Sequence, residues 1–414
     1  MEPRPRRRHG VWAAPLVLLA LVGCGRASAG ADGPTVPVVV SAPVSSEPWV
    51  ARSIEGGARL AVEEINADGG FDLEGGKRKA ELVVLDHASS PATALANARE
   101  AVRRKAAVLL TDGTGVAAVG DITDRATLPT FILFQGGRDL VDPQRHPSVF
   151  RLAPADAIMT RRLADYLAPA NPKVALLSDD TDYGEQGREA LLDAFAVDEV
   201  QVVSDHAIAR TARDLAPRVL EARRAGADRL VVWAGAAGVA AAVEAVHQAG
   251  WDVPVLAGQT AEDPLVRQRL AAHPDWMSSL KFVSSRITAE VGPKPFEDFR
   301  RRYEDLLGVS EVGVQQDGRD VIQPPDWAMY PYDALKLVAE AIAQVKTLGR
   351  PVLDTLNGGA TIVGANGDQR GYNAEYHEGV SPTDTYIAGF DGFVFGPVED
   401  DPLASLLHPV DQLR

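Results

Sequence analysis

Short runs of β-branched residues alternate with segments of helical periodicity along most of this 414-residue chain. Eight runs have the composition of buried strands: Val36–Ser41, Ala80–Leu85, Ala106–Thr111, Thr130–Phe134, Lys173–Ser178, Val200–Asp205, Arg229–Trp233 and Val253–Ala257. Between them, Ile54, Ala58, Ala61 and Ile65 show the spacing of one helical face. Strands and helices in this alternation predict parallel sheets that helices cover on both faces.

The eight predicted strands form two sets of four, separated by a break near residues 151–156. Each set is about the size of one doubly wound domain, so we expect an α/β protein with two parallel-sheet lobes. Beyond residue 285 the sequence predicts a polar helix over 296–307, a loop over 308–325 and a helix over 332–345. Because these pieces must pack back on the two lobes, the backbone crosses between the lobes more than once, as in a multi-strand hinge.

The N-terminal segment has the features of an export signal. The basic stretch Arg4–Arg8 precedes the uncharged run Val11–Val22, which is shorter than the roughly 20 residues that a transmembrane helix needs. The run ends in Leu-Val-Gly-Cys24, which resembles the lipobox of bacterial lipoproteins. That resemblance implies a signal peptide over 1–23 and a diacylglycerylated Cys24. The small and polar residues that follow predict a flexible tether over 24–35. The alternative is a buried structural cysteine behind an ordinary signal peptide.

Composition excludes several classes of function. The chain has 57 acidic and 42 Lys and Arg residues, a net charge of −15, which disfavours binding to nucleic acid. Its single Cys excludes a disulfide framework, and its eight His form no H-E-x-x-H pattern. The stretch 113–118 fits G-x-G-x-x-A but lacks the acidic residue of a dinucleotide site, and 366–371 imitates a calcium loop with an Arg at a ligand position. We therefore predict no cofactor, no metal and no enzymatic activity.

Four short sequence motifs occur in a defined order along the chain. They are G-A-R-L-A-V-E-E-I-N-A-D-G-G at 57–70, V-F-R-L-A-P-A-D at 149–156, D-Y-G-E at 182–185 and Y-P-Y-D-A-L at 330–335. Together they resemble type I periplasmic solute-binding proteins, the leucine/isoleucine/valine-binding family of ABC importers. The resemblance implies backbone crossings near residues 154, 286 and 373. The lobes implied are 36–154 with 287–372, and 155–286 with 373–414.

The same resemblance implies the function. We expect an extracytoplasmic protein, anchored to the cell membrane by its lipid, that captures a small polar ligand by hinge closure. The ligand, an amino acid, an amide or a related metabolite, would then pass to the permease of an ABC importer. A lipoprotein sensor with the same fold, signalling to a membrane receptor, is the alternative.

The first lobe contributes two candidate turns. In one, Gly113 and Thr114 are placed to hold a carboxylate or amide oxygen of the ligand, although a tight turn with Asp112 as a helix cap is the structural alternative. In the other, Gln135 and Gly136 stand where relatives bind the ligand ammonium with a backbone carbonyl and a Thr. Gly136 lacks that hydroxyl group.

The second lobe contributes Tyr183, from the D-Y-G-E motif, and Gln259, which matches an acidic partner of the ammonium in relatives. Glu262 or Asp263 supplies the charge instead if the alignment shifts by a few residues. Because a buried ammonium without a counter-charge costs several kcal/mol, a neutral amide or an aromatic molecule suits the site at least as well as a branched-chain amino acid.

Two further residues have more than one interpretation. Trp49, in the irregular stretch after the first strand, either stacks on the ligand or packs at the surface or between the lobes. Asp156 either orients the cleft or caps the helix that follows it.

Overall fold

A computed structural model describes residues 34–285, 294–308 and 311–401. The strands are β1 (Val36–Ala42), β2 (Phe71–Leu73), β3 (Gly76–Arg78), β4 (Ala80–Asp86), β5 (Val108–Thr111), β6 (Thr130–Ile132), β7 (Val149–Arg151), β8 (Lys173–Asp179), β9 (Gln201–Ile208), β10 (Arg229–Trp233), β11 (Val255–Ala257), β12 (Leu280–Ser285), β13 (Glu311–Gln316), β14 (Arg319–Ile322), β15 (Thr361–Val363), β16 (Gln369–Gly371), β17 (Thr385–Asp391) and β18 (Val394–Pro397). The helices are α1 (Pro48–Ala67), α2 (Pro91–Arg103), α3 (Val116–Ala126), α4 (Asp156–Leu167), α5 (Asp182–Val197), α6 (Ala216–Arg224), α7 (Ala236–Gln248), α8 (Pro264–Arg269), α9 (Lys294–Leu307), α10 (Met329–Val345) and α11 (Arg350–Asn357). All eight predicted strands are confirmed.

The first sheet is parallel throughout, with the strand order β4-β1-β5-β6-β7. Helices cover both of its faces. Val38 and Val40 of β1 join one apolar cluster with α1 and α10, whereas Val39 joins the cluster of α2 and α3. Successive residues of a strand point to opposite faces of its sheet. The arrangement is therefore doubly wound, as predicted.

The second sheet repeats this plan and extends it. Its order is β18-β17-β12-β11-β10-β8-β9, and the five strands from β12 to β9 are parallel. The predicted parallel core is confirmed, and β17 and β18 extend it at one edge as antiparallel strands, which the sequence analysis did not predict. They form a hairpin whose short turn includes Gly392 at φ 61°. So short a connection joins antiparallel strands only.

The predicted loop over 308–325 is wrong in part, because β13 and β14 form a hairpin there. Asp317 and Gly318 have φ angles of 52° and 73° and make the turn. An Asp-Gly pair is a strong hairpin signal, since both central residues need positive φ. Val312, Val314 and Val321 pack into the apolar cluster of the second sheet.

Segments of the C-terminal part of the chain pack against both sheets. Phe299 of α9 and Leu335 of α10 belong to the core of the first sheet, whereas Tyr386 of β17 belongs to that of the second. The backbone therefore returns from one sheet to the other, as a hinge requires. The predicted crossing near residue 286 and the stretch 402–414 lie outside the described residues, and the exact limits of the lobes stay a prediction.

Candidate functional site

The two sheets have the same internal order. Numbered along the chain, the parallel strands of each sheet run 2-1-3-4-5, so the order in which strands are added reverses between β1 and β5 in the first sheet and between β8 and β10 in the second. Ligands of open α/β sheets bind beyond the carboxyl ends of the strands at such a reversal. Gln259, just after β11, donates from Nε2 to the carbonyl oxygen of Phe134, just after β6, over 3.4 Å. The two groups of turns therefore meet, and we call the region between them the cleft.

A buried aspartate organises the turn after β5. Asp112 accepts hydrogen bonds from the Thr114 amide and hydroxyl, each at 2.8 Å, and from His87 Nε2 at 3.1 Å. The Nδ1 atom of His87 accepts from the Ser89 amide at 3.1 Å, which assigns the neutral Nε2–H tautomer to this histidine. Gly113 has a φ of 118°, a conformation that favours glycine. The structure thus makes Asp112 the acceptor that holds this turn together.

This arrangement changes what Thr114 offers to a ligand. We predicted that the backbone amides of this turn and the Thr114 hydroxyl hold a carboxylate or amide oxygen of the ligand, but Asp112 already receives the hydrogens of the Thr114 amide and hydroxyl. The hydroxyl oxygen accepts from Gln135 Nε2 at 3.3 Å. The Thr114 hydroxyl is therefore left with acceptor capacity only, which suits an N–H group better than an anion.

The turn after β6 brings Gln135 and Gly136 to the junction with α4. The Asp156 amide donates to the Gly136 carbonyl at 2.8 Å, and a Cβ atom on Gly136 would lie 2.3 Å from Asp156 Oδ1. Any larger residue would collide with the carboxylate. The hydroxyl that the family resemblance implies at this position is thus absent, and the Asp156 carboxylate lies beside Gly136 instead.

Asp156 does not cap α4, which corrects the cap interpretation. Ala155 occupies the cap position, no side chain caps the helix, and the carboxylate oxygen Oδ1 of Asp156 has no hydrogen-bond partner among the described residues. The side chain is 3 % exposed. Burial raises its pKa to about 6, and the positive charge of Arg151 opposes a larger increase.

Tyr183 lies at the start of α5, on the side of the cleft that the second sheet forms. Thr181 caps this helix by accepting from the Gly184 amide at 3.2 Å, and this cap fixes the position of the ring. The ring stacks on Trp233 with a centroid distance of 5.7 Å. Burial holds the pKa of the Tyr183 hydroxyl well above its ordinary value. The hydroxyl therefore stays protonated at neutral pH.

Two acids near Gln259 were alternative sources of charge, and both have other roles. Glu262 is 1 % exposed and accepts from Ser284 Oγ and, over 3.3 Å, from the Asp326 amide. Burial, followed by the neighbouring Asp326, raises its pKa to about 8, so it is mostly protonated at pH 7. Asp263 caps α8 by accepting from the Leu265 amide at 2.8 Å.

Trp49 lies in the first turn of α1 and is 8 % exposed, so the surface interpretation is wrong. Its indole Nε1 has no hydrogen-bond partner among the described residues. Within that part of the chain, Trp49 belongs to none of the apolar clusters. This is unusual for a buried indole and leaves stacking on a ligand, or packing between lobes, as its role.

Several predictions lie outside this site. Cys24 lies outside the described residues. Within the described residues, no group of three or more His, Asp or Glu is arranged to hold a metal ion. The calcium-like stretch 366–371 forms the turn before β16 and the strand itself, which corrects the predicted loop, and Asn366 Oδ1 accepts from Arg370 at 2.9 Å. Among the helices that the structure describes, none combines the length and the apolar character of a membrane span.

Comparison with known proteins agrees with this architecture. A sequence profile described as periplasmic binding protein matches residues 35–390, most of the chain. The chain belongs to the periplasmic binding protein family. No curated sequence matches this periplasmic binding protein. Solved type I relatives do share its fold, at sequence identities of 20 % or less in the following cases.

A type 1 periplasmic binding protein from Bordetella pertussis Tohama I is 19 % identical, covering 88 % of this chain and 100 % of its own, with a TM-score of 0.75. The branched-chain amino acid substrate-binding protein LivJ from Streptococcus pneumoniae, solved with isoleucine, is 20 % identical, covering 87 % and 98 %, with a TM-score of 0.73. A solute-binding protein of an ABC transporter from Rhodopseudomonas palustris BisB5, solved with 3,4-dihydroxybenzoic acid, is 19 % identical, covering 88 % and 96 %, with a TM-score of 0.70.

Proposed function

We propose that this periplasmic binding protein captures a small polar ligand between its two lobes and delivers it to an ABC importer. The observation that carries the proposal is the direct hydrogen bond from Gln259 to Phe134, which joins turns at the carboxyl ends of both sheets. A site built from two separate sheets is complete only when the lobes are together. Binding and closure are therefore one event.

Hinge closure follows from the contacts that span the cleft. Besides the Gln259 bond, Arg138 Nη2 lies 2.9 Å from Asp193 Oδ2 of α5, with both side chains mostly exposed. Both contacts require the two sets of turns to be close together. A ligand that touches both lobes binds the closed state more tightly, and it shifts the equilibrium toward closure by the difference in affinity.

The residues around the cleft favour a ligand with hydrogen-bonding groups and a flat or apolar part. Gln135 and Gln259 offer amide groups, whereas Tyr183 and Trp49 offer aromatic surface. An amino acid, an amide or a related metabolite satisfies both requirements. The bound isoleucine and 3,4-dihydroxybenzoic acid of the LivJ and Rhodopseudomonas proteins lie in the same range of size.

The location proposed is extracytoplasmic, with the protein held at the cell membrane by lipid on Cys24 and facing the permease of its importer. Two acyl chains at about 0.8 kcal/mol per buried CH₂ are enough for stable anchoring. Metabolic labelling with a clickable fatty acid tests this location. We expect a labelled protein in the membrane fraction, and an unlabelled, released protein for Cys24→Ser. Equal labelling of both would contradict the anchor.

Ligand binding is tested with the full-length protein purified in mild detergent. Thermal unfolding is followed against panels of amino acids, amides, polyamines and aromatic acids, and hits are examined by small-angle neutron scattering in contrast-matched detergent. A ligand present at 100 times its Kd adds about 2.7 kcal/mol to the free energy of unfolding. We expect a higher melting temperature together with a smaller radius of gyration. The proposal would be overturned if no compound in any panel changed the melting temperature or the radius of gyration.

A matched pair of variants compares the contribution of a cleft residue to ligand binding with that of an exposed residue outside it. Gln259→Ala removes the partly buried hydrogen bond to Phe134. Asp193→Ala removes only the exposed pair with Arg138, and exposed pairs contribute about 0–1 kcal/mol. We expect Gln259→Ala to weaken a confirmed ligand at least tenfold and Asp193→Ala to leave its Kd within about threefold. Equal losses of ligand affinity in the two variants would contradict the placement of the ligand site at Gln259.

A further inference from the structure

Glu262 is a buried acid at the place where the turns of the two sheets meet. It ends the short 3₁₀ helix Gln259–Glu262, which follows β11, and it is 1 % exposed. In a 3₁₀ helix the side chains at positions i and i+3 lie one above the other, so Gln259 and Glu262 share one face. From that face Gln259 donates to the Phe134 carbonyl, just after β6. Glu262 therefore lies on the side of its helix that closes against the first sheet.

The carboxyl group of Glu262 contacts the segment that leads back to the first sheet. Its Oε2 accepts from the Asp326 amide at 3.3 Å, and Asp326 Oδ2 accepts from the hydroxyl of Tyr386, in β17, at 2.7 Å. The next residue, Trp327, belongs to the apolar core of the first sheet, and its ring centroid lies 5.2 Å from that of Phe134. The chain thus passes from the second sheet to the first between Asp326 and Trp327.

These contacts form a closed ring that includes one hydrogen bond across the cleft. Its members are Gln259, Phe134, Trp327, Asp326 and Glu262. The hydrogen bond from Gln259 is the link that spans the cleft, whereas the contact between Glu262 and Asp326 lies at the hinge. A buried acid and the point of rotation are therefore parts of one structure.

The surroundings of Glu262 favour its protonated form. Ser284 Oγ, in β12, donates to its Oε1, and the carboxylate of Asp326 is a neighbouring negative charge. Arg267, the buried cation of α8, donates from Nη2 to the backbone carbonyl of Glu262 at 2.6 Å and from Nη1 to Gln323 Oε1 at 3.1 Å. Burial and the charge of Asp326 raise the pKa of Glu262 to about 8, although Ser284 and Arg267 act in the opposite direction.

We propose that closure of the cleft encloses a proton on Glu262, so that pH regulates the hinge: protonation favours the closed state and deprotonation favours the open one. The inference rests on the proposed function. Opening breaks the link from Gln259 and lets water reach the same face of the helix, where the ionised carboxylate is stable. The closed state therefore binds this proton more tightly than the open state. Because linkage is reciprocal, ligand binding, which closes the cleft, takes up a proton.

Calorimetry in buffers of different ionisation enthalpy counts this proton. The full-length protein in detergent is titrated with glutamine, isoleucine and 3,4-dihydroxybenzoic acid, and each compound that binds serves as a probe. Glu262 with a pKa of about 8 is mostly protonated in the closed state at pH 7.5 and mostly ionised in the open state, so we expect uptake of about 0.7 proton per bound probe. The Kd should rise about 5–10-fold between pH 7 and pH 8.5.

Variants assign the proton to one residue. Glu262→Gln keeps the shape of the protonated side chain, so proton uptake should fall below about 0.2 and the Kd should change less than about twofold over the same pH range. Glu340→Gln, at an exposed acid of α10, is the matched control and should behave as wild type. Burial also raises the pKa of Asp384 to about 8, and the loss of uptake in Glu262→Gln separates the two acids.

A second variant changes the hinge contact and leaves Glu262 in place. Asp326→Asn keeps the backbone amide that Glu262 accepts from and removes the neighbouring negative charge. Glu262 should then lose its proton more easily, so the midpoint of the affinity loss should move to lower pH. Thermal unfolding at pH 7 shows whether each variant is folded before it is titrated.

The hinge is also followed without a ligand. Spin labels at Arg138→Cys and Asp193→Cys, two exposed positions whose native side chains meet across the cleft, report the distance between the lobes. The population with the short distance should shrink between pH 7 and pH 8.5, and Glu262→Gln should abolish this change. Labelling of the parent chain, whose single cysteine is Cys24, gives the background signal.

The outcomes separate this inference from the proposed function. A probe that binds without proton uptake, or with equal uptake in wild type and Glu262→Gln, would overturn the inference and leave a solute-binding protein. An unchanged midpoint in Asp326→Asn would overturn it as well, even if Glu262→Gln did not fold. If none of the three probes binds, a label distance that is independent of pH overturns the inference. Failure of the proposed function shows instead as an absence of binding in every panel.

Discussion

Asp112 and Asp156 follow parallel strands at the same edge of the first sheet, and they are 4 % and 3 % exposed. Their environments differ sharply. Asp112 receives hydrogen bonds from His87 and Thr114, whereas Oδ1 of Asp156 receives none from the described residues. The comparison shows that burial alone does not define the role of an acid. Asp112 organises a turn, whereas Oδ1 of Asp156 takes part in no such network among the described residues.

A third group of buried acids, which is paired with a buried arginine, should show the largest loss of stability on mutation. Asp333 and Asp384 share the guanidinium of Arg370, which is 1 % exposed, and Arg370 Nε lies 3.2 Å from Asp333 Oδ2. We expect Arg370→Met to lower the free energy of unfolding by about 3–5 kcal/mol, because two buried acids lose their cation. Urea unfolding measures the change.

The control for that variant is Arg350→Met, which breaks an exposed pair with Asp354. Its effect should stay within about 1 kcal/mol. A similar loss in the two variants would contradict the view that burial makes the Arg370 network important.

Glu262 shows another way to bury an acid, by retaining its proton. Its pKa is about 8 in the folded protein and about 4.5 when unfolded. Between these values the folded state binds more protons than the unfolded state, so the free energy of unfolding falls as pH rises. The stabilisation is complete below pH 4.5 and is lost by about pH 8.

We expect wild type to lose about 2–4 kcal/mol more than Glu262→Gln between pH 5 and pH 8.5. Denaturant titrations of both proteins at the two pH values measure this difference. Parallel losses in wild type and variant would contradict a protonated Glu262.

Asp112 itself is expected to matter for stability. Asp112→Ala leaves His87 and the Thr114 amide without their acceptor in a buried turn and should lower the free energy of unfolding by about 2–3 kcal/mol. Asp112→Asn keeps an acceptor oxygen and should lower it by about 1 kcal/mol. Thermal and urea unfolding provide the values. If Asp112→Ala were no more harmful than Asp156→Asn, the comparison between the two acids would fail.

The smallest expected effect concerns Tyr183. Tyr183→Phe keeps the ring on Trp233 and removes only the hydroxyl, so affinity for a confirmed ligand should fall about 3–10-fold while the melting temperature changes little. Calorimetry measures the affinity, and Tyr376→Phe, at an exposed tyrosine, is the control. An unchanged Kd for Tyr183→Phe would remove its hydroxyl from the site.

Sequence patterns predicted most of the fold because strands and amphipathic helices depend on local periodicity. The capped start of α2 shows this at one residue, since Ser90 Oγ accepts from the Thr93 amide at 3.3 Å. The β13–β14 hairpin was missed although Asp317-Gly318 carries its signal. Its flanking valines are interrupted by Gly313, and this obscured the alternation.

The candidate site was harder to predict, because its chemistry depends on which atoms meet. The motifs identified Thr114 but not that Asp112 takes both of its hydrogens. They identified the missing hydroxyl at Gly136 but not the carboxylate beside it. Hydrogen-bond direction and close approach between distant residues leave no periodic trace in a sequence.

By itself, the sequence determined two sets of parallel strands with helices between them, since these rest on short-range composition and spacing. Tertiary structure alone decided that β17 and β18 complete the second sheet, that Gln259 reaches Phe134, and that Asp156 stands against Gly136. The reason is physical: the energy of a buried charge depends on every group that folding brings around it, and those groups come from distant parts of the chain.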